Sequence, residues 1–102
     1  MHICVNWTVV TLPRARREYL QALEYLRRFY PGTPMRFRNE FKKKLSQLEF
    51  NPRCCSPYPD KPEYRRAIIG KYTMLYKIDE ARREVHIHRI IRSSWDIPQA
   101  LQ

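Results

Sequence analysis

The stretch Val85-His86-Ile87-His88 alternates apolar residues with histidines, so in an extended chain both imidazoles share one face. Two such imidazoles can supply an acid and a base near neutral pH. The plainer reading is a pair of polar residues opposite a core face, since nothing else in the sequence fixes their tautomers. Arg65 and Arg66 are adjacent, and in a strand they point to opposite sides. One would line a sheet surface, where a guanidinium fork suits a phosphate or carboxylate. The other would be a solvated or helix-packed charge, or an edge charge that discourages aggregation. Arg89, Arg92 and Trp95 gather at the end of the same segment as the histidines. A cation beside an exposed indole suits contact with a protein or a base, although Trp95 would equally cap the core. Cys54 and Cys55 lack the C-x-x-C spacing of a zinc or redox site, and with Cys4 they make three thiols that cannot all pair. They read as reduced thiols without a ligand role; a metal site would need the fold to bring them to His86 and His88. No metal and no cofactor are expected.

The elements that must position these residues follow from periodicity. Residues 2–10 alternate, with Ile3, Val5, Trp7 and Val9 on one side, as in a half-buried strand. Thr11 offers a hydroxyl cap and Pro13 suits a first helical turn. From Arg14 the apolar residues Ala15, Tyr19, Ala22, Leu23, Leu26 and Phe29 or Tyr30 recur at helical steps, until Tyr30-Pro31-Gly32 stops the helix. Thr33-Pro34 starts a second helix with Phe37, Phe41, Leu45 and Leu48 on one face, ending before Asn51-Pro52. The short link makes the two an antiparallel hairpin. Residues 51–63 carry four prolines and read as an irregular connection. Strands follow at Tyr64–Ile69, Tyr72–Asp79 and Glu84–Ile91, joined by tight turns. Alternation fails at Arg89-Ile90-Ile91, which implies a bulge or a strand buried on both sides. Residues 93–102 form a short tail. The fold class is α+β: an N-terminal strand, a helical hairpin and a three-stranded antiparallel meander, forming a two-layer sandwich with one curved sheet.

The 102 residues allow one domain, 1–102. With 43% hydrophobic residues the chain has enough apolar mass to fold. Two glycines exclude a glycine-rich phosphate loop. No apolar run approaches the ~20 residues needed to span a bilayer, and residues 1–7 lack a basic secretory n-region, so a cytoplasmic address is expected. Lys and Arg number 20 against 10 acids, a net charge of +10. Solubility alone asks for about 2–8, so an anionic partner is expected: nucleic acid, an acidic protein, or a machine containing nucleic acid.

Tyr64-Arg65-Arg66, then Gly70-Lys71-Tyr72-Thr73-Met74-Leu75-Tyr76, then Val85-His86-Ile87-His88-Arg89-Ile90-Ile91-Arg92 follow one another in order. This set, with Leu12 to Arg17 and Leu48 to Pro52, resembles the RelE/ParE superfamily of toxins from type II toxin–antitoxin pairs. The resemblance implies either messenger RNA cleavage in the ribosome, as in RelE-like members, or inhibition of DNA gyrase, as in ParE-like members. RelE-like enzymes carry an arginine directly after the Gly-x-Tyr of the middle strand, where this chain has Thr73. They often end with a tyrosine or a histidine–tyrosine pair, whereas the last tyrosine here is Tyr76. The ending Arg92 to Leu101, with Asp96-Ile97-Pro98, instead resembles the ParE-like pattern.

A plasmid-stabilising toxin that inhibits gyrase is therefore the first expectation. Its target contacts would be Arg65, Arg66, Lys71, Arg89, Arg92 and Trp95. The alternative is an endoribonuclease of the ribosome and its messenger RNA, using Arg65, Arg66, His86 and His88. A non-toxic basic nucleic-acid-binding domain is a third. By the same resemblance an acidic antitoxin would wrap the hairpin near Tyr19, Leu23, Leu26 and Phe41 and add to the sheet edge. No membrane partner is expected.

Overall fold

The computed structural model describes residues 7–93. The expected contacts at Trp95, the first residues of the N-terminal strand and most of the tail lie outside that range. Strand β1 is Thr8–Thr11, helix α1 is Pro13–Phe29 and helix α2 is Pro34–Phe50. A 3-10 turn at Pro52–Cys54 leads into β2 (Pro57–Tyr58), β3 (Lys61–Ile69), β4 (Tyr72–Asp79) and β5 (Glu84–Arg92). The sheet order is β1-β5-β4-β3-β2. All neighbours are antiparallel except β1 and β5, which run parallel. Among the described residues no helix is long and apolar enough to cross a membrane.

The α+β architecture agrees with the sequence reading, with two differences. The connection over residues 51–63 is not wholly irregular: it holds the 3-10 turn, a two-residue edge strand, and the start of β3. The sheet therefore has five strands. The helix starts also differ. The N-cap of α1 is Leu12, not Thr11, because the Leu12 amide still donates to the Ile87 carbonyl and Thr11 remains in the ladder. Thr33 does occupy the N-cap of α2, but its side chain makes no capping bond. Pro13 and Pro34 open their helices, where a missing N–H costs no hydrogen bond.

The core lies between the hairpin and one face of the sheet. Ala15, Ala22 and Leu26 of α1 and Phe37, Phe41 and Leu48 of α2 meet Ala67, Ile69, Met74, Tyr76, Val85 and Ile87. Phe29 and Tyr30, which the period allowed as core residues, are exposed at the hairpin's end. In β4, the central strand, every residue from Tyr72 to Tyr76 is buried.

The failed alternation in β5 is a bulge. Tyr76 pairs with Ile87 and Leu75 with Arg89, which leaves His88 as the extra residue. The bulge shifts the inward parity from Val85 and Ile87 to Ile90 and Arg92. Without that shift Arg92 would point away from the helices.

Candidate functional site: two faces of the sheet

The first region is the sheet face turned away from the helices. His86 and His88 share it, as their spacing implied. The His86 Nε2 lies 2.8 Å from Glu84 Oε1. His88 meets the Tyr64 ring edge-on at 5.3 Å between centroids. Lys77, the cross-strand partner of His86, places its ammonium 4.7 Å from the centre of the same Tyr64 ring. Burial, then Lys77, then His86 hold the His88 pKa below the ordinary imidazole value. His88 is therefore a neutral side chain at physiological pH, able to accept a proton but not poised to donate one. Asp79, Glu84 and His86 have donor atoms within 4.8 Å of one another and could hold a divalent cation.

The two arginines of β3 separate as expected. Arg66 is on the outer face but lies over the Tyr58 ring at 5.7 Å, towards the β2 edge. Arg65 points to the helix side, where its guanidinium donates to the Cys55 carbonyl. The four residues expected to act together in RNA cleavage are thus divided between both faces. Cys54 and Cys55 sit at the helix side beside Arg65 and Tyr76, so the fold does not bring them to the histidines. Thr73, which stands where the resemblance expected an arginine for RNA cleavage, is buried, with its Oγ1 2.8 Å from Ser93 Oγ.

Arg89 is not an open contact surface. Its Nε and Nη2 donate to Glu18 Oε2 at 2.9 and 2.7 Å, and the second oxygen of Glu18 accepts the Ile90 amide at 2.9 Å. One carboxylate of α1 thereby fastens both a guanidinium and a backbone N–H of β5. Both side chains are largely buried.

The second region is a cavity of about 320 Å³ at the loop end of the hairpin, a size within the usual range for ligand sites. Two expected contacts, Lys71 and Arg92, line it together. Gly70, at φ 59°, makes the tight β3–β4 turn that delivers Lys71 to the rim. The Ser93 amide then donates to the Lys71 carbonyl, tying that turn to the end of β5. Phe37 and Tyr72 meet edge-on at 5.2 Å and are buried, forming the floor. Tyr25 and Tyr30 form the wall, with the Arg92 guanidinium 5.0 Å from the Tyr25 centroid and the Lys71 ammonium 5.7 Å from Tyr30. Arg36 also lines the cavity, and among the described residues Glu40 is its single acid. Among the described residues no carboxylate is within ion-pair distance of Arg36, Lys71 or Arg92. Sequence reasoning missed Tyr25, Tyr30 and Arg36 as site residues. Tyr25 and Tyr30 come from the end of α1 and Arg36 from α2, and only the tertiary fold gathers them with Lys71 and Arg92.

The residues expected to meet an antitoxin divide by burial. Leu26 and Phe41 belong to the core, and Phe41 packs on Tyr19 at 4.3 Å between ring centroids. Tyr19 and Leu23 are half-buried. The hairpin leaves Leu20, Phe29 and Met35 more than half exposed.

A helical hairpin laid across one face of a mixed five-stranded sheet, with cations on both faces, defines a small basic α+β module. The chain belongs to the ParE toxin family of type II toxin–antitoxin systems, parDE, whose profile matches residues 9–97. Among solved structures it is similar to a chain of the chromosomal ParDE system from P. aeruginosa. The TM-score is 0.70 at 12% identity, over 87% of this chain and 98% of that one. It is also similar to a chain of the RelBE2 toxin–antitoxin complex from Mycobacterium tuberculosis. There the TM-score is 0.58 at 23% identity, over 85% of this chain and 98% of that one. At these identities the likeness is one of fold. No curated protein sequence matches the chain.

Proposed function

We propose that this chain is a cytoplasmic toxin that a cognate acidic antitoxin silences and that acts by binding DNA gyrase, not by cutting RNA. The observation that carries this reading is Thr73. Transesterification of RNA needs cations where charge develops on the phosphate, besides a base and an acid. The position that would supply one such cation holds a buried hydroxyl already engaged with Ser93. Two of the expected contacts, Lys71 and Arg92, gather with Arg36 around an aromatic cavity suited to clasping a protein surface. The antitoxin would cross the hairpin over Tyr19 and Leu23, with its acidic residues meeting the basic helices and a strand added to the sheet edge.

Controlled expression tests the target. Early arrest of DNA synthesis with filamentation, and loss of supercoiling by purified gyrase, are expected. Translation failing first, with cut transcripts, would overturn the reading. A second reading, ribosome-dependent RNA cleavage, is favoured by one observation: His86, His88 and Lys77 share the outer face. It expects growth arrest to vanish in a His86→Asn, His88→Asn double variant.

A further inference from the structure

The loop after α2 presents two thiols that neither reading uses. Cys54 is exposed and Cys55 half-buried, and their Sγ atoms are 3.6 Å apart. The loop that carries them is fixed at three points. Asn51 Oδ1 accepts the Arg53 amide at 3.1 Å. The Tyr76 hydroxyl, from the buried centre of β4, donates to the Pro52 carbonyl at 2.7 Å. Arg65 donates to the Cys55 carbonyl. These bonds hold the backbone on both sides of the pair, so the thiols are presented by an ordered turn. They open on a groove of about 700 Å³ beside Lys44, Gln47 and Phe50, with room for an incoming group.

Two chemistries are open to adjacent thiols, and distance decides between them. A disulfide needs sulfurs about 2.05 Å apart and Cα atoms usually 4.4–6.8 Å apart, while neighbouring residues across a trans peptide are held at about 3.8 Å. Closing the bond would strain the very backbone that Tyr76 and Arg65 hold. Chelation asks for much less. Two thiolates bound to one tetrahedral ion at about 2.3 Å each sit roughly 3.8 Å from one another. The observed 3.6 Å is close to that bite.

We propose that Cys54 and Cys55 form a bidentate site for one thiophilic metal or metalloid centre, a soft divalent cation or a trivalent arsenical. Thiolate donors select such centres over magnesium or calcium. The histidines lie across the sheet, so the remaining coordination positions are open to water or an external ligand. The site is independent of the toxin reading: it is a property of the loop and needs neither gyrase nor antitoxin.

Cadmium is the first probe, followed through its thiolate charge-transfer band in the ultraviolet on the full chain. One thiolate-bound ion per chain is expected, with the band kept in Cys4→Ser and in His86→Asn. Cys54→Ser and Cys55→Ser should each weaken binding roughly 10-fold or more, since even changes to the shell around a ligand cost ~10–100-fold. Loss of the band in Cys4→Ser, one ion per two chains, or serine variants that titrate like the parent would each overturn the proposal. Phenylarsonous acid gives a second readout that does not rely on affinity. Two As–O bonds break and two As–S bonds form, the thiol protons leave with the hydroxides as two waters, and arsenic stays trivalent. Mass spectrometry of the folded chain should show one adduct, retained in Cys4→Ser and absent from both single serine variants. An unmodified parent chain, or an adduct that survives either substitution, would overturn the assignment.

Discussion

The outer sheet face and the cavity at the hairpin's end are both basic and both aromatic, yet their charges are used differently. On the outer face nearly every polar group already has a neighbour. His86 has Glu84, Lys77 and His88 share Tyr64, and Arg66 lies over Tyr58. At the hairpin's end Lys71 and Arg92 rest on tyrosine rings, which leave their positive charge uncancelled. Ring contacts hold a cation in place without neutralising it, whereas a carboxylate does both. The comparison teaches that the residues with the most catalytic look are the most satisfied. Among the expected binding residues Arg89 is paired with Glu18, whereas Lys71 and Arg92, like Arg66 and Lys77 of the outer face, rest on rings and keep their charge for an anion.

Both regions depend on β5, and the largest expected effect comes from loosening it. Glu18→Ala takes from the largely buried Arg89 the carboxylate that binds its Nε and Nη2, and removes the acceptor for the Ile90 amide. Breaking a buried pair in this way costs about 3–5 kcal/mol. Denaturant unfolding should show that loss with an unchanged m-value. A loss under 1 kcal/mol would mean that Glu18 does not set the position of β5, and the two regions would not share a frame.

The next effect separates the regions. Arg92→Gln should cut toxicity and weaken target binding by about 2 kcal/mol, roughly 30-fold, as for an arginine at the centre of an interface. Its own fold should lose little, because among the described residues the side chain is in no ion pair and rests on the Tyr25 ring. His86→Asn should leave growth arrest intact. If the histidine variant abolishes arrest while Arg92→Gln does not, the roles of the two regions are reversed. A smaller effect is expected at the loop: Tyr76→Phe leaves the Pro52 carbonyl without its buried donor, a cost of about 1–3 kcal/mol by thermal or chemical unfolding.

The sequence disclosed the elements whose period is long and regular. Strand β4 falls at Tyr72–Asp79, the bounds its alternation implied, and both helices begin at their prolines. The bulge, too, announced itself in Arg89-Ile90-Ile91. Strand β2 was hidden because Pro57 and its neighbouring prolines read as loop; a proline is tolerated there since β2 lies at the sheet edge, where a missing N–H breaks no ladder. Arg89 looked like surface because nothing local signals its partner, which is 71 residues away. The cavity was illegible for the same reason: Tyr25, Arg36 and Lys71 belong to separate elements, and each reads alone as an ordinary aromatic or solvated charge. Arg65 and Arg66 were legible as a divided pair, but which one faces the helices is set by the register Arg65↔Tyr76, and that is tertiary information.

The finest difference between the regions is their response to acid. His88 titrates below the ordinary imidazole value because burial and the Lys77 and His86 charges disfavour its protonated form. The unfolded chain then binds a proton more readily than the folded one as pH falls through about 6.5, so stability rises with pH in that window and is lost on acidification. The loss should level off once pH drops below the folded-state pKa, where both states are protonated. Replacing His88 with Asn removes this site from the linkage. The melting temperature of His88→Asn should therefore fall less between pH 7 and pH 5 than that of the parent. Arg92→Gln, at the other region, should leave the parent's pH dependence unchanged, because a guanidinium does not titrate there. Parallel melting curves for parent and His88→Asn would show that the bulge does not bury His88 against Tyr64 and Lys77. The outer face would then be as open as the cavity, and the contrast between them would collapse.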